Sequence, residues 1–79
     1  MLLRFYAVGR EISGVDEAHF EVTNFTQLAD VLGDAYGERM SRLASASTLL
    51  LAGVRHRITD DVTLHDADVV DLLPPFAGG

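Results

Sequence analysis

Asp68-Val69-Val70-Asp71-Leu72-Leu73-Pro74-Pro75-Phe76-Ala77-Gly78-Gly79 is the stretch on which the reading of this chain turns. The apolar run from Val69 to Leu73 has the composition of a buried strand. Proline lacks the N–H that a sheet ladder needs, and Pro74 also biases Leu73 toward extended backbone, so the strand hands over to a stiff, unpaired segment. Residues 74–79 therefore form a projecting tail. Fully extended, they span roughly 20 Å, enough to carry the Gly79 carboxylate into a cleft of another protein.

The rest of the chain must supply a domain from which that tail departs. Seventy-nine residues make one small domain, near the size at which a single core stabilises only modestly, and 48% hydrophobic residues argue against disorder. There is no cysteine, hence no disulfide framework, thiolate metal site or thiol nucleophile. The formal net charge of −6 makes phosphate backbones unfavourable partners and a basic protein surface a favourable one. All six basic residues are arginine. Without a lysine amine the chain has no Schiff-base chemistry and no side chain able to receive an isopeptide. No apolar run approaches a membrane span, and the N-terminus opens on a strand-like pattern rather than a signal sequence, so a cytoplasmic protein is expected.

Upstream of the deciding stretch, Leu2–Val8 reads as a strand that Gly9 ends, followed by a short turn, at most one helical turn, over Arg10–Gly14. Glu17–Val22 alternates, with Ala18, Phe20 and Val22 on one face, and is expected to form a hairpin with the first strand. Asn24 and Gln27 have the spacing of a capping box, and Phe25, Leu28, Val31, Leu32 and Ala35 fall at helical spacing, which predicts an amphipathic helix over 25–36 that Gly37 ends. Residues 38–44 extend into a second short helix before a bend at Ser45-Ala46-Ser47. Thr48–Ala52 reads as a buried strand, Gly53-Val54 as its turn and Arg55–Ile58 as a charged edge strand. Val62 and Leu64 are expected to plug the core from an irregular connection. A helix crossing a small mixed sheet is an α+β roll.

Chemistry-bearing side chains are sparse. His65 lies among Asp61, Asp66 and Asp68, yet no histidine pair has the i, i+4 spacing of a zinc site and the glycine-centred calcium pattern is missing, so no metal is expected. Serines 13, 41, 45 and 47 sit in no nucleophile-elbow setting. Arg10, near the first turn, is the arginine placed to meet an acidic group on a partner. The remaining group is the terminal carboxylate, a poor electrophile that needs activation, most simply by ATP to a mixed anhydride with AMP. Gly78 and Gly79 remove every Cβ near the reacting carbon, so a partner can enclose it in a narrow channel. Pro74-Pro75 lowers the entropy lost when the tail threads inward.

Leu72-Leu73-Pro74-Pro75-Phe76-Ala77-Gly78-Gly79, together with Phe5-Tyr6-Ala7, Arg10-Glu11-Ile12-Ser13-Gly14 and Asp66-Ala67-Asp68-Val69-Val70, resembles the MoaD/ThiS family of ubiquitin-like sulfur carriers, and among them the molybdopterin synthase small subunits. The resemblance spans the chain. It departs from the family at Ala67, where glycine is usual, and at Gly53-Val54, where relatives often carry an asparagine turn. It implies a β-grasp fold of about five strands packed by one main helix, with the first and last strands parallel and adjacent. It further implies that Gly79 is adenylated by a ubiquitin-activating-like adenylyltransferase using ATP, then converted to a thiocarboxylate by a sulfur donor system, with no cofactor bound to the carrier and no catalysis by it. The implied destination is the molybdopterin synthase large subunit, two copies of each chain, with the tail in the larger subunit's active site. Tyr6, Leu73 and Phe76 are the apolar contacts expected there, with Arg10 beside them and Pro74, Pro75 and Ala77 lining the path to Gly78 and Gly79. Carriers for thiazole or cysteine synthesis share the Gly-Gly end and are the alternative. A ubiquitin-like interaction module with an inert terminus, or a small hydrolase using His65 with Asp66 or Asp68, are the readings from other classes.

Overall fold

The protein is described by a computed structural model covering residues 1–75, with Phe76–Gly79 outside the described residues. Five strands, β1 (Leu2–Phe5), β2 (Glu17–His19), β3 (Thr48–Leu51), β4 (Val54–His56) and β5 (Val69–Leu73), form one mixed sheet in the order β2-β1-β5-β3-β4. β5 is central. Its pairing with β1 is parallel, from Leu2 beside Val69 to Phe5 beside Leu72, and its pairing with β3 is antiparallel. The two-residue period sends Leu3 and Phe5 of β1 and Val70 and Leu72 of β5 to one face, where all four are buried, and turns Arg4, Val69 and Asp71 to the other.

The helices α1 (Val8–Ser13), α2 (Phe25–Tyr36) and α3 (Glu38–Ala46) complete the fold. Phe25, Leu28 and Leu32 of α2 and Met40 and Ala44 of α3 join Leu3, Phe5, Leu49, Val70 and Leu72 in the core. Tyr36 meets Phe5 edge to face at 5.6 Å. α2 begins as its sequence predicts, because Asn24 Oδ1 accepts from the Gln27 N–H at 2.8 Å. The return bond of the capping box reaches Thr23 instead of Asn24, its N–H donating to Gln27 Oε1 at 2.9 Å. Gly37, at φ 86°, closes α2 and opens α3. Gly33 serves the packing of these two helices, since a Cβ there would lie 2.7 Å from Ser41 Oγ. Ala35, expected inside, is exposed, while Leu64 is buried and Val62 packs against the core as expected.

Several local expectations are corrected. The first strand stops at Phe5, and Val8 and Gly9 belong to α1, reached through Ala7 at φ 51°. Gly9 is no strand terminator: it is buried, and a Cβ on it would sit 3.5 Å from Leu43 and 3.8 Å from Leu72, in van der Waals contact with the core. β1 and β2 pair antiparallel, as Leu3 with Ala18, which is the expected hairpin with α1 as its connection, but the second strand is shorter than expected and Phe20 and Val22 lie beyond it. α3 runs on through Ser45 and Ala46, where the Ser45 hydroxyl donates to the Ser41 carbonyl and the Ser47 hydroxyl to that of Leu43, absorbing serines that read as a bend. β4 ends at His56, and Ile58 turns into the core instead of extending an edge strand.

The β3–β4 turn is Ala52-Gly53, one residue earlier than expected, joining Leu51 to its partner Val54. Both turn residues have positive φ, 50° and 80°. Positive φ at both central positions is the type I′ form of a two-residue hairpin, and alanine bears a steric penalty there that asparagine largely escapes. Ala52→Asn is therefore expected to raise stability by about 0.5–1 kcal/mol, measured as a higher denaturant midpoint at unchanged slope.

Candidate functional site

The outward face of the sheet carries the groups nearest the tail. Register places Glu17, Arg4, Asp71, Leu50 and Arg55 in one row across the five strands. At its centre Arg4 grips Asp71 with two parallel bonds, Nε to Oδ1 at 2.6 Å and Nη2 to Oδ2 at 3.0 Å. The Tyr6 hydroxyl donates a third bond to Asp71 Oδ1 at 3.1 Å. The Asp71 side chain is only 15% exposed, against 46% for Arg4.

These contacts set the protonation behaviour of the cluster. The Arg4 hydrogen bond, reinforced by that from Tyr6 and by the guanidinium charge, holds the Asp71 carboxyl below its ordinary value against the opposing effect of burial. The Asp71 hydrogen bond and charge push the Arg4 guanidinium further up. Desolvation pushes the Tyr6 phenol up, helped by its hydrogen bond to Asp71. Because the Asp71 carboxyl is depressed on folding, its contribution is complete above its unfolded value near 3.8 and is lost as pH falls through the lower folded value. Tyr6 behaves oppositely, contributing fully below pH 10 and losing that contribution as pH climbs through its raised value. Asp71→Asn is expected to lower the unfolding midpoint at pH 7, with the gap to the parent protein closing progressively below pH 3.8. Chemical unfolding across pH 2–8 measures this, and a gap independent of pH would assign the loss to packing.

Of the residues singled out in the sequence, Tyr6 and Leu73 fall at the same end of β1 and β5. Phe5 and Leu72 form the last parallel pair there, and Ala7 then turns the chain into α1. Tyr6 is 38% exposed, Leu73 and Pro74 are half-buried, and Pro75 is exposed. Leu73 keeps a partner on one side only, Thr48 of β3. The strand thus runs straight from the centre of the sheet into the two prolines. Arg10 is carried on α1 instead of the sheet, and its guanidinium faces Asp16 at 3.4 Å, both groups well exposed. Phe76, Ala77, Gly78 and Gly79 lie outside the described residues.

Arg4 and Asp71 escaped the sequence reading. The available signal was a charge interrupting each of two apolar runs, Leu2-Leu3-Arg4-Phe5 and Val69-Val70-Asp71-Leu72, at outward positions that pair once the strands lie parallel. The rival acid–base site is not assembled: the His65 N–H donates to Asp68 Oδ2 at 2.8 Å, and the Asp68 N–H to the His65 carbonyl, which is a local turn. Among the described residues no three histidine or carboxylate side chains gather as a metal site. The described outward face of β1 and β5 therefore carries Tyr6, Val69 and Leu73 around the paired Arg4 and Asp71. No helix among the described residues is long and apolar enough to cross a membrane.

The ThiS family matches residues 3–79. The solution structure of the Haloferax volcanii HVO 2177 protein superposes with a TM-score of 0.76 at 24% identity, covering 99% of this chain and 84% of that one, and shows the same fold. No curated protein sequence matches the chain. With the match running from the first strand through the Gly-Gly end, and the parallel central pair that a β-grasp requires, the chain belongs to the ThiS family of ubiquitin-like sulfur carriers.

Proposed function

We propose that this chain is the sulfur-carrier subunit of a molybdopterin synthase, delivering sulfur from a thiocarboxylate at Gly79. The observation that carries the proposal is the course of β5, which passes from the centre of the sheet beside Tyr6 directly into Pro74-Pro75, so that the domain is a rigid handle for the tail. A carboxylate oxygen of Gly79 attacks the α-phosphorus of ATP within a ubiquitin-activating-like enzyme and pyrophosphate leaves. A sulfide-level sulfur nucleophile from the donor system then attacks the acyl carbon, a C–S bond forms, the C–O bond to the phosphate breaks with its electron pair leaving on AMP, and the thiocarboxylate remains. Apart from that carboxylate, the carrier contributes no acid, base or nucleophile to either step.

The partner for sulfur delivery is a molybdopterin synthase large subunit, in an assembly of two copies of each chain. Tyr6 and Leu73 anchor the base of the tail there, Phe76 extends the contact, and Pro74, Pro75 and Ala77 guide Gly78 and Gly79 toward the larger subunit's active site. Arg10 on α1 is the adjoining cation for an acidic group of the partner. The Pro-Pro pair and Phe5-Tyr6-Ala7 support molybdopterin synthesis over the thiazole and cysteine routes.

Thiocarboxylated protein, mixed with candidate large subunits and the molybdopterin precursor, tests the assignment. Conversion to the dithiolene product is the expected result. Transfer of sulfur only to a thiazole-forming or cysteine-forming synthase would move the chain to that pathway. Phe76→Ala is expected to weaken complex formation while leaving the unfolding midpoint unchanged, as read by co-purification and circular dichroism.

A further inference from the structure

We infer that the open face of the sheet selects its partner through Arg4: the surface that docks there is apolar around one uncharged acceptor oxygen, a backbone or side-chain carbonyl, aimed at that guanidinium. The inference rests on the reading of a synthase large subunit as the partner, and adds what that subunit presents away from the tail.

The two-residue period leaves Leu2, Tyr6, Leu50, Val69 and Leu73 on the outward face, Tyr6 and Val69 exposed and the others half-buried. Tyr6 and Leu73 make this face continuous with the base of the tail, so a partner that receives the tail comes against it. In its middle stands the Arg4–Asp71 pair. A partner surface that was apolar throughout would strip water from every donor the pair leaves unused.

The hydrogen bonds identify those donors. A guanidinium carries five N–H groups and no acceptor. Arg4 directs one from Nε and one from Nη2 to Asp71, and among the described residues the Nη1 pair and the second Nη2 hydrogen have no protein acceptor. Asp71 Oδ1 is also occupied by the Tyr6 hydroxyl, and the carboxylate side chain is far less exposed than Arg4, so the pair shows a visitor chiefly donors. Two bonds to a planar guanidinium also fix where the remaining donors point. A partner without an acceptor at that point leaves buried donors unpaired, which rejects it more sharply than a lost apolar contact would.

Charge decides the kind of acceptor. In the row across the sheet Arg4 stands between Glu17 and Asp71. A partner carboxylate would bring a third negative charge to a guanidinium that Asp71 already neutralises, whereas a carbonyl meets the same donors without that repulsion. Arg55, at the other end of the row, is three strands from Arg4, roughly 14 Å, too far to offset the excess at physiological salt.

Calorimetric titration of the synthase large subunit with the parent protein and two double variants tests this, with circular dichroism confirming that each is folded. Arg4→Met/Asp71→Leu removes both charges and enlarges the apolar face, and replacing both partners of a pair with apolar groups is close to neutral for folding. It is expected to bind at least about tenfold more weakly than the parent. Arg4→Gln/Asp71→Asn is uncharged but keeps amide donors, and is expected to bind within about threefold of the parent. Unchanged or tighter binding by the apolar pair overturns the inference, because the face would then dock through apolar contact alone. A tenfold loss by the amide pair also overturns it, by assigning a carboxylate to the partner, and that result stands even if the apolar pair does not fold. A large subunit that does not bind the parent at all overturns the choice of partner and this inference with it.

Discussion

Removing Gly79, or adding one residue after it, is expected to abolish thiocarboxylate formation while leaving the domain folded. In the parent protein, incubation with its activating enzyme, ATP and a sulfur source is expected to raise the intact mass by the difference between sulfur and oxygen. The reacting group must be a carboxylate held at one position in the activating enzyme, and an added residue puts a neutral backbone amide there and carries the terminal carboxylate about 3.5 Å beyond it. Deletion leaves a carboxylate on Gly78, short of its position by about 3.5 Å. A misplacement of 1 Å at a reacting centre can cost about 100-fold in rate, so a full residue should remove detectable product. The buried core ends at Leu72, so the unfolding midpoint of both variants should match the parent. Modification of either variant at the parent rate, or an unmodified parent in the presence of demonstrably active enzyme, would sink the assignment of Gly79.

The elements legible in the sequence are those whose signals are local. α2 was bounded correctly because Asn24 supplies a side-chain cap, Gly37 supplies the stop, and Phe25, Leu28 and Leu32 keep helical spacing between them. β5 was bounded correctly because an apolar run meets two prolines. α1 was missed as a six-residue helix because its start has no side-chain cap and Ala7 adopts a positive φ that its residue type does not advertise. What holds it is distant: Gly9 packs beside Phe5, Leu43 and Leu72. α3 outruns its sequence signal because serines at 45 and 47 ordinarily compete for backbone groups but here bond back to carbonyls four residues earlier. At the candidate site, Tyr6 and Leu73 were readable as apolar groups beside a tail. The Arg4–Asp71 pair was not, since its partners are 67 residues apart and meet only through the parallel register of β1 and β5. That register came from family resemblance and not from the residues.

The same central pair predicts where the fold is most fragile. Phe5 and Leu72 are in register neighbours on β1 and β5, exposed 2% and 0%, with Leu49 of β3 completing the row on the inner face. The sequence reading required one of them to be core, and both are. Truncating Leu72 removes a side chain beside Gly9, Phe5 and Leu49, and truncating Phe5 also removes the edge-to-face contact with Tyr36. Neighbours held by a sheet on one side and helices on the other have little freedom to collapse into the space. Leu72→Ala is therefore expected to lose about 2–5 kcal/mol and Phe5→Ala about 3–5 kcal/mol. A chain of this length has a total stability of about 4–12 kcal/mol, so either change can consume most of it. The two effects should be less than additive, because each variant already forfeits the contact between the two side chains. Urea unfolding of both single variants and the double variant measures this, with Tyr6→Ala as the exposed comparison expected to lose far less. A loss below about 1 kcal/mol for Leu72→Ala would mean that the site relaxes and that the centre of the sheet is not the rigid handle the tail requires.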